Sequence, residues 1–179
     1  MQLVAITGLL HQPKAKLTLA LVEELSAQTD RLVLLDNCDV PLTVDGVSRQ
    51  RLMGGCVCCS LAAALISRLS QLDADYALLP VSALADPAAL AALLDSLRSE
   101  HLLITIVALI DTLTQMRKPH LAQMLEFYSD AQVYEPFDYS EAVQAVAGAP
   151  LSRSATCPTA GASASLDGLE RGAATRVMG

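Results

Sequence analysis

Short runs of apolar residues recur along the chain, and each run is bounded by polar or turn-forming residues. Five of them have the length and composition of buried β-strands: residues 3–6, 32–35, 77–81, 102–110 and 131–134. Between these runs, apolar residues recur three or four positions apart, which predicts helices that pack on a core. The predicted helices cover residues 17–25, 61–72, 88–97, 116–127 and 138–147, and no element is predicted for residues 36–59.

Strands that alternate with helices are typical of one architecture. Because two parallel strands need a crossover connection, the alternation predicts an α/β fold, a doubly wound parallel sheet with helices on both faces. Two local signals concern the ends of helices. Pro119 can interrupt the fourth helix near its start, and Asp138 with Glu141 predicts a capping box that opens the last helix.

The periodic pattern stops close to residue 149. The segment that follows is rich in Ser, Ala, Gly, Thr and Arg and has almost no periodicity. Such a segment cannot bury enough apolar surface to offset the entropy of ordering it. We therefore predict one domain over residues 1–148 and a poorly ordered tail over residues 149–179, in which Cys157 is a spare thiol.

Composition narrows the range of partners. The chain has 179 residues, is 53% hydrophobic and carries a formal net charge of −7 at pH 7. That charge argues against a nucleic-acid groove or an anionic membrane surface. The longest apolar run is far shorter than the roughly 20 residues of a membrane-spanning helix, and no secretory signal opens the chain. We expect a cytoplasmic protein whose partners are metal ions, small molecules or other proteins, including a second copy of itself.

Three thiols lie within four residues of each other in the segment 54–60, whose sequence is GGCVCCS. Thiolates bind Zn(II) or Cu(I) strongly, and Gly54 and Gly55 let the backbone wrap around an ion without Cβ clashes. Cys56, Cys58 and Cys59 are therefore candidate metal ligands. Two alternatives stay open. The cysteines are small buried apolar residues, or two of them form a disulfide, which cysteines this close in sequence form only with strain.

The segment after the first strand, residues 8–16, stands where a phosphate-binding loop would stand. That motif consists of Gly, four residues, Gly, Lys and then Ser or Thr. Gly8 and Lys14 are in place. Pro13 replaces the second Gly and removes an amide, and Ala15 replaces the hydroxyl residue that holds Mg²⁺. By itself this segment favours an ordinary strand-to-helix turn over a phosphate site.

Four segments, taken in order, resemble the CobW-type metal-chaperone GTPases, relatives of the nickel-insertion GTPases of urease and hydrogenase maturation. The family carries a phosphate loop, an Asn-Glu-Phe-Gly segment with an Asp-Gly soon after, a Gly-Cys-x-Cys-Cys loop, and a Gly-Leu-Ala-Asp-Pro segment. The corresponding segments here are residues 8–16, 37–46 (NCDVPLTVDG), 55–59 (GCVCC) and 82–87 (SALADP). The resemblance covers roughly residues 2–140. It implies a P-loop NTPase-like fold, GTP binding through Gly8, Lys14 and Asp86, and metal handling for a client metalloprotein.

The positions at which the chain departs from the family pattern are those that bind the nucleotide and its Mg²⁺ in the family. Besides the two changes in the phosphate loop, Pro80 stands in place of the family's Glu, and Ala83 in place of the Gly whose amide lies near the γ-phosphate. The guanine motif, Asn-Lys-x-Asp, falls in residues 133–138 (VYEPFD), which keep only Asp138. These losses remove several charge-assisted contacts of about 1.5–3 kcal/mol each. We therefore assign no catalytic residue, and we expect GTP to bind weakly and not to be hydrolysed efficiently.

The cysteine motif, in contrast, is intact, and the resemblance implies that it holds zinc or another transition metal. Zn(II) prefers four ligands. Cys38, which follows the second strand, is the candidate fourth ligand beside Cys56, Cys58 and Cys59, and its alternative role is that of a small buried residue. His11, water or a side chain from a partner are the alternatives, and an open fourth position would suit metal transfer.

The sequence thus predicts a CobW-like metal-binding protein with a degenerate nucleotide pocket. Two other functions stay open. One is a working GTPase that grips phosphate through Lys14 and Lys16. The other is a thiol redox protein in which Cys56 and Cys59 cycle between dithiol and disulfide.

Overall fold

The computed structural model describes residues 1–148. The elements in chain order are β1 (Gln2–Thr7), α1 (His11–Ser26), β2 (Leu32–Asp36), β3 (Ser48–Arg51), α2 (Ala62–Gln71), β4 (Tyr76–Pro80), α3 (Pro87–Leu97), β5 (Leu103–Ile110), α4 (Thr112–Arg117), α5 (Pro119–Phe127), β6 (Ala131–Tyr134) and α6 (Ser140–Ala147). The strands form a sheet in the order β3-β2-β4-β1-β5-β6, and every neighbouring pair is parallel. The predicted P-loop NTPase-like, doubly wound α/β fold is confirmed.

The hydrophobic core lies on both faces of this sheet. In the central strand β1, Leu3 and Ala5 pack on the face that α2 and α3 cover, whereas Val4 and Ile6 pack on the face that α1 and α6 cover. All four side chains are fully buried. A strand that is buried on both faces has no polar positions to alternate with apolar ones. This is why β1, β2, β4 and β5 could be recognised as continuous apolar runs.

One strand of the sheet was not predicted. β3 lies at the edge and pairs with β2, but its four residues are polar and exposed or half-buried, so no hydrophobic period marks it. Two ion pairs hold it in place instead. The guanidinium groups of Arg49 and Arg51 lie 3.1 and 2.6 Å from Oδ2 of Asp36, the fully buried last residue of β2.

Two helix ends differ from the expected pattern. Pro119 divides the predicted fourth helix, since α4 ends at Arg117 and α5 begins at Pro119 itself, a position that suits proline. The predicted capping box is wrong. α6 begins at Ser140 without a side-chain cap, because the Asp138 carboxylate accepts the N–H of Ser140 at 3.0 Å and so forms a local turn just before the helix.

No helix within residues 1–148 combines the length and the apolar character needed to cross a membrane. The predicted tail, with Cys157, lies outside the described residues.

Candidate metal centre and phosphate loop

The thiol loop, residues 54–60, connects β3 to α2. The Sγ atoms of Cys56, Cys58 and Cys59 all lie within 4.8 Å of one another. Cys56 is buried, Cys58 is half-buried and Cys59 is exposed, so the cluster opens to solvent on one side. Glycine is required at position 55, where φ is +154° and an added Cβ would lie 1.9 Å from Oγ of Ser60. The structure thus brings together the three thiols that the sequence singled out.

Within this cluster the sulfur atoms differ in their contacts. Sγ of Cys56 and Sγ of Cys58 are in disulfide contact, and the two Cα atoms are 5.4 Å apart. The backbone N–H of Cys58 also donates to Sγ of Cys56 at 3.2 Å. Cys59 is a free thiol whose Sγ lies 3.8 Å from that of Cys58. The sequence had suggested Cys56 and Cys59 as the redox pair, whereas the structure pairs Cys56 with Cys58.

Cys38 is not part of this cluster. Its side chain is 2% exposed and packs with the core on the α1 side of the sheet, whereas Val57 of the thiol loop packs with the core on the opposite side. Burial raises the pKa of the Cys38 thiol to about 11. A thiol that keeps its proton is a poor metal ligand. Within residues 1–148, the cluster of potential ligands at the thiol loop contains only the three cysteines, without Cys38.

One side chain connects the thiol loop to the two neighbouring strands. Asn37 follows β2, and its Nδ2 donates to the carbonyl oxygens of Leu52 at 3.0 Å and Gly55 at 2.9 Å. Its Oδ1 accepts the N–H of Ser82, which lies just after β4, at 3.3 Å. In the sequence, Asn37 stands out only as part of the family motif. Its position directly after a buried strand was the signal that could have identified this role.

The buried carboxylate of Asp36 organises the same region. Besides its ion pairs with Arg49 and Arg51, it accepts the backbone N–H groups of Cys38 and Leu42, each at 3.0 Å. Sequence reasoning missed this residue, because an Asp at the end of a strand is common at turns. Its contacts fix the segment that leaves β2 and the edge strand that leads into the thiol loop.

The loop between β1 and α1 is short. α1 begins at His11, so only Gly8, Leu9 and Leu10 separate the strand from the helix. Gly8 has φ of +135°, and an added Cβ would lie 2.5 Å from the carbonyl oxygen of Leu109, which makes glycine obligatory there. A phosphate cradle is built from the free amides of a longer loop that ends at the Lys. In this chain the residues just before Lys14 already belong to the helix.

Lys14 points into the protein. Its side chain is 1% exposed, and its Nζ donates to the carbonyl oxygen of Val81, after β4, at 2.7 Å. Burial lowers the pKa of this ammonium group, while the nearby Cys38 and Asp39 act in the opposite direction. The lysine of the phosphate-loop motif is therefore held by a backbone carbonyl.

Polar groups of the loop after β4 are hydrogen-bonded to another part of the chain. Asp39 accepts the hydroxyl of Ser82 at 2.6 Å and the N–H of Ala83 at 3.0 Å. The hydrogen bond from Ser82 is the main reason why the pKa of this carboxyl lies below its usual range. Ala83 is the position at which the family resemblance expects an amide near the γ-phosphate. That amide is bound here to a carboxylate.

Asp86 has the geometry of a helix cap. Its Oδ1 accepts the N–H of Ala89 at 2.8 Å, and Pro87 is the first residue of α3. This contact satisfies one of the free amides at the start of α3.

A cavity of about 420 Å³ lies between the start of α1 and the loop after β6. Its lining includes His11, Lys16, Glu135, Phe137 and Tyr139. Glu135 accepts the N–H of Thr112 at 2.9 Å, so its carboxylate is already engaged. The guanine motif of the family would lie beside this cavity. Asp138, the one motif residue that the chain keeps, accepts a hydrogen bond from the N–H of Ser140.

Comparison with known proteins agrees with this architecture. The sequence model of the family described as "CobW/HypB/UreG, nucleotide-binding domain" matches residues 4–147, which is most of the chain and nearly all of its described part. No curated protein matches the chain at a significant level. The matched range includes every strand of the sheet after the start of β1, the thiol loop, the loop between β1 and α1, and Lys14 in the first turn of α1. The chain belongs to the CobW/HypB/UreG family.

Proposed function

We propose that this protein binds zinc through its thiol loop and handles the metal for a client metalloprotein, with a nucleotide pocket that no longer supports GTP hydrolysis. The observation that carries the proposal is the cluster of three thiols in the thiol loop. Asn37 connects this loop to the segment after β4, whose Val81 carbonyl holds the inward-pointing Lys14. The metal ion is cargo in this proposal. A reducing compartment such as the cytoplasm suits it, because the thiols must stay reduced to bind.

The spacing of the Cys58 and Cys59 sulfur atoms fits a thiolate site. Tetrahedral zinc with Zn–S bonds of about 2.3 Å places its sulfur ligands about 3.8 Å apart. Sγ of Cys58 and Sγ of Cys59 are 3.8 Å apart, and Cys56 lies within reach of both. Three thiolates leave one position for water or for a ligand from the client. A site of this kind binds its ion and can still exchange it.

The contacts of the phosphate loop support a weak nucleotide site. GTP would have to displace the carbonyl of Val81 from Lys14 and the carboxylate of Asp39 from the amide of Ala83. The Asp39 carboxylate, next to both, would repel a phosphate. With Ala15 in place of the hydroxyl that binds Mg²⁺, neither the ion nor the terminal phosphate has a prepared partner here.

A GTP-binding metallochaperone is the second candidate, and one observation favours it. The cavity of about 420 Å³ remains open at the start of α1, beside Lys16 and His11. Calorimetry with Mg-GTP separates the two proposals. A dissociation constant in the micromolar range, lost in Lys16→Ala, would support the second candidate, and an affinity no tighter than roughly 0.1 mM supports the first.

The central test is a metal titration of anaerobically reduced protein. We expect about one Co(II) per chain or per dimer, with a thiolate charge-transfer band, and displacement of Co(II) by Zn(II). The triple variant Cys56→Ser, Cys58→Ser, Cys59→Ser should lose the band. The matched control is Cys38→Ala with Cys157→Ser, which keeps the thiol loop and should bind normally. Unchanged metal content in the triple variant would overturn the proposal.

A further inference from the structure

The thiol loop contains two arrangements that exclude each other. Its three sulfur atoms are close enough to share one metal ion, yet two of them, on Cys56 and Cys58, are in disulfide contact. A sulfur atom in a disulfide has no thiolate lone pair to offer a metal. Oxidation of this pair would leave Cys59 as the only thiolate of the cluster.

We propose that a reversible Cys56–Cys58 disulfide controls metal binding, so that the loop holds its ion when reduced and releases it when oxidised. This inference rests on the proposed function and adds its regulation. It also assigns the redox chemistry to a Cys-x-Cys pair and leaves Cys59 outside the disulfide.

The backbone geometry supports that pairing. The Cα atoms of Cys56 and Cys58 are 5.4 Å apart, within the range of roughly 4.4–6.8 Å found for disulfides. Two glycines with positive φ precede the pair, and a turn closes it through the N–H groups of Cys59 and Leu61, which donate to the carbonyl of Cys56 at 3.3 and 3.1 Å. A bond between Cys58 and Cys59 would join adjacent residues, and their sulfur atoms remain 3.8 Å apart.

The difference in exposure between Cys56 and Cys58 indicates which of these two thiols reacts first with an oxidant. Cys56 is buried, while Cys58 is half-buried and accessible to a small disulfide oxidant. With glutathione disulfide as the oxidant, the Cys58 thiolate attacks one of its sulfur atoms and releases one glutathione thiolate. The Cys56 thiolate then attacks the Cys58 sulfur, forms the intramolecular disulfide and releases the second glutathione thiolate. The pair loses two electrons, and glutathione disulfide gains two. The bound metal is released as Zn(II), because two of its thiolate ligands are lost.

The experiment uses the full chain with Cys157→Ser as the reference, so that the loop cysteines and the buried Cys38 are the only thiols. Reduced protein is loaded with zinc and placed in glutathione buffers from fully reduced to fully oxidised. Released zinc is followed with a chromogenic chelator, and the disulfide is located by peptide mapping with mass spectrometry. We expect zinc release to rise together with a Cys56–Cys58 crosslink, and a reducing agent to restore binding.

Two variants sharpen the test. Cys59→Ser should still form the crosslink, whereas Cys58→Ala should not form it. A crosslink that involves Cys59, or oxidised protein that keeps its zinc, would overturn the redox control and leave the proposed function standing. Reduced protein that binds no zinc would overturn the proposed function, and the redox control of metal binding with it.

Discussion

At the scale of single residues, the cysteines of the two loops differ in their surroundings. Cys38 and the thiol-loop cysteines have the same side chain and all follow strands of one sheet. The chain encloses Cys38 in the core beside α1, where its neutral form is favoured, and leaves Cys58 and Cys59 at least partly open to solvent. The same side chain is therefore a core residue in one loop, and in the other it belongs to the cluster that we propose as a metal site.

This burial predicts a pH dependence for stability. The folded protein holds the pKa of Cys38 at about 11, compared with 9.0 for an unperturbed thiol. As the pH rises above 9.0, the unfolded chain loses this proton first, so the folded state loses stability relative to it. Compared with Cys38→Ala, the wild-type free energy of unfolding should fall by on the order of 2 kcal/mol between pH about 8 and about 11.

Urea unfolding of wild-type protein and Cys38→Ala across this pH range provides the measurement. Groups that titrate in the same way in both proteins contribute equally to the two free energies of unfolding. Their contributions therefore cancel in the difference. A difference between the two proteins that stays constant over the whole range would show that Cys38 titrates normally.

Asn37 leads to a second prediction at this scale. Its amide satisfies the carbonyls of Leu52 and Gly55 and fixes the N–H of Ser82. Asn37→Ala should lower the free energy of unfolding by about 2–3 kcal/mol, because it leaves the carbonyl of buried Leu52 and the N–H of buried Ser82 without their partner. It should also weaken zinc binding, because the thiol loop loses its anchor. Gln50→Ala, a change on the neighbouring edge strand, is the control that should leave zinc affinity as it is.

At the scale of elements, the ends of strands and helices carry the chemistry. The segments that follow β1, β2 and β4 meet at the carboxyl ends of these strands. There, Lys14 contacts Val81, and Asp39 contacts Ala83. The Val81 carbonyl after β4 accepts from the Lys14 ammonium group, and the Asp39 carboxylate after β2 accepts from the amide of Ala83. The ammonium group and the amide are groups that a phosphate would need. The fold is that of the family, and these two groups make internal hydrogen bonds in this structure.

Asp86 tests whether a motif residue is structural. In the structure it caps α3 through the N–H of Ala89. Asp86→Ala should lower the free energy of unfolding by about 1 kcal/mol, whereas Asp86→Ser, which can also cap, should restore most of it. Chemical denaturation gives both values. If Asp86→Ala leaves stability unchanged but alters nucleotide binding, the residue belongs to a ligand site and not only to the helix.

At the scale of the whole molecule, the hydrogen bonds of Asn37 and Ser82 join the thiol loop to the region of the phosphate loop. In a nucleotide-driven switch this connection would transmit the state of the pocket to the metal. Since the Lys14 ammonium group and the amide of Ala83 are engaged by contacts of the chain itself, we propose that the metal site works without such a switch.

We therefore predict that Mg-GTP leaves zinc affinity unchanged. The measurement is a competition titration of zinc against a chromogenic chelator, with and without Mg-GTP, at one pH. Coupling between two ligands is reciprocal, so a change of tenfold or more, about 1.4 kcal/mol, would have to appear equally in the affinity for GTP. A coupling of that size would replace the constitutive site with a nucleotide-controlled one.

The sequence by itself determined the architecture and the thiol loop. Strands buried on both faces leave continuous apolar runs, and the three cysteines are neighbours in the chain, so both features are local signals. β3 stayed hidden because it is polar and is held by ion pairs to Asp36, which are contacts that no local pattern records.

Only the tertiary structure decided where the partners of the strand-end residues lie. Cys38 follows β2 as a ligand could, yet its side chain enters the core on the far side of the sheet from the thiol loop. Lys14 keeps its place in the motif, but it donates to Val81, which is 67 residues away in the chain. Contacts over such separations depend on how the strands are ordered in the sheet, and spacing along the sequence does not contain that order.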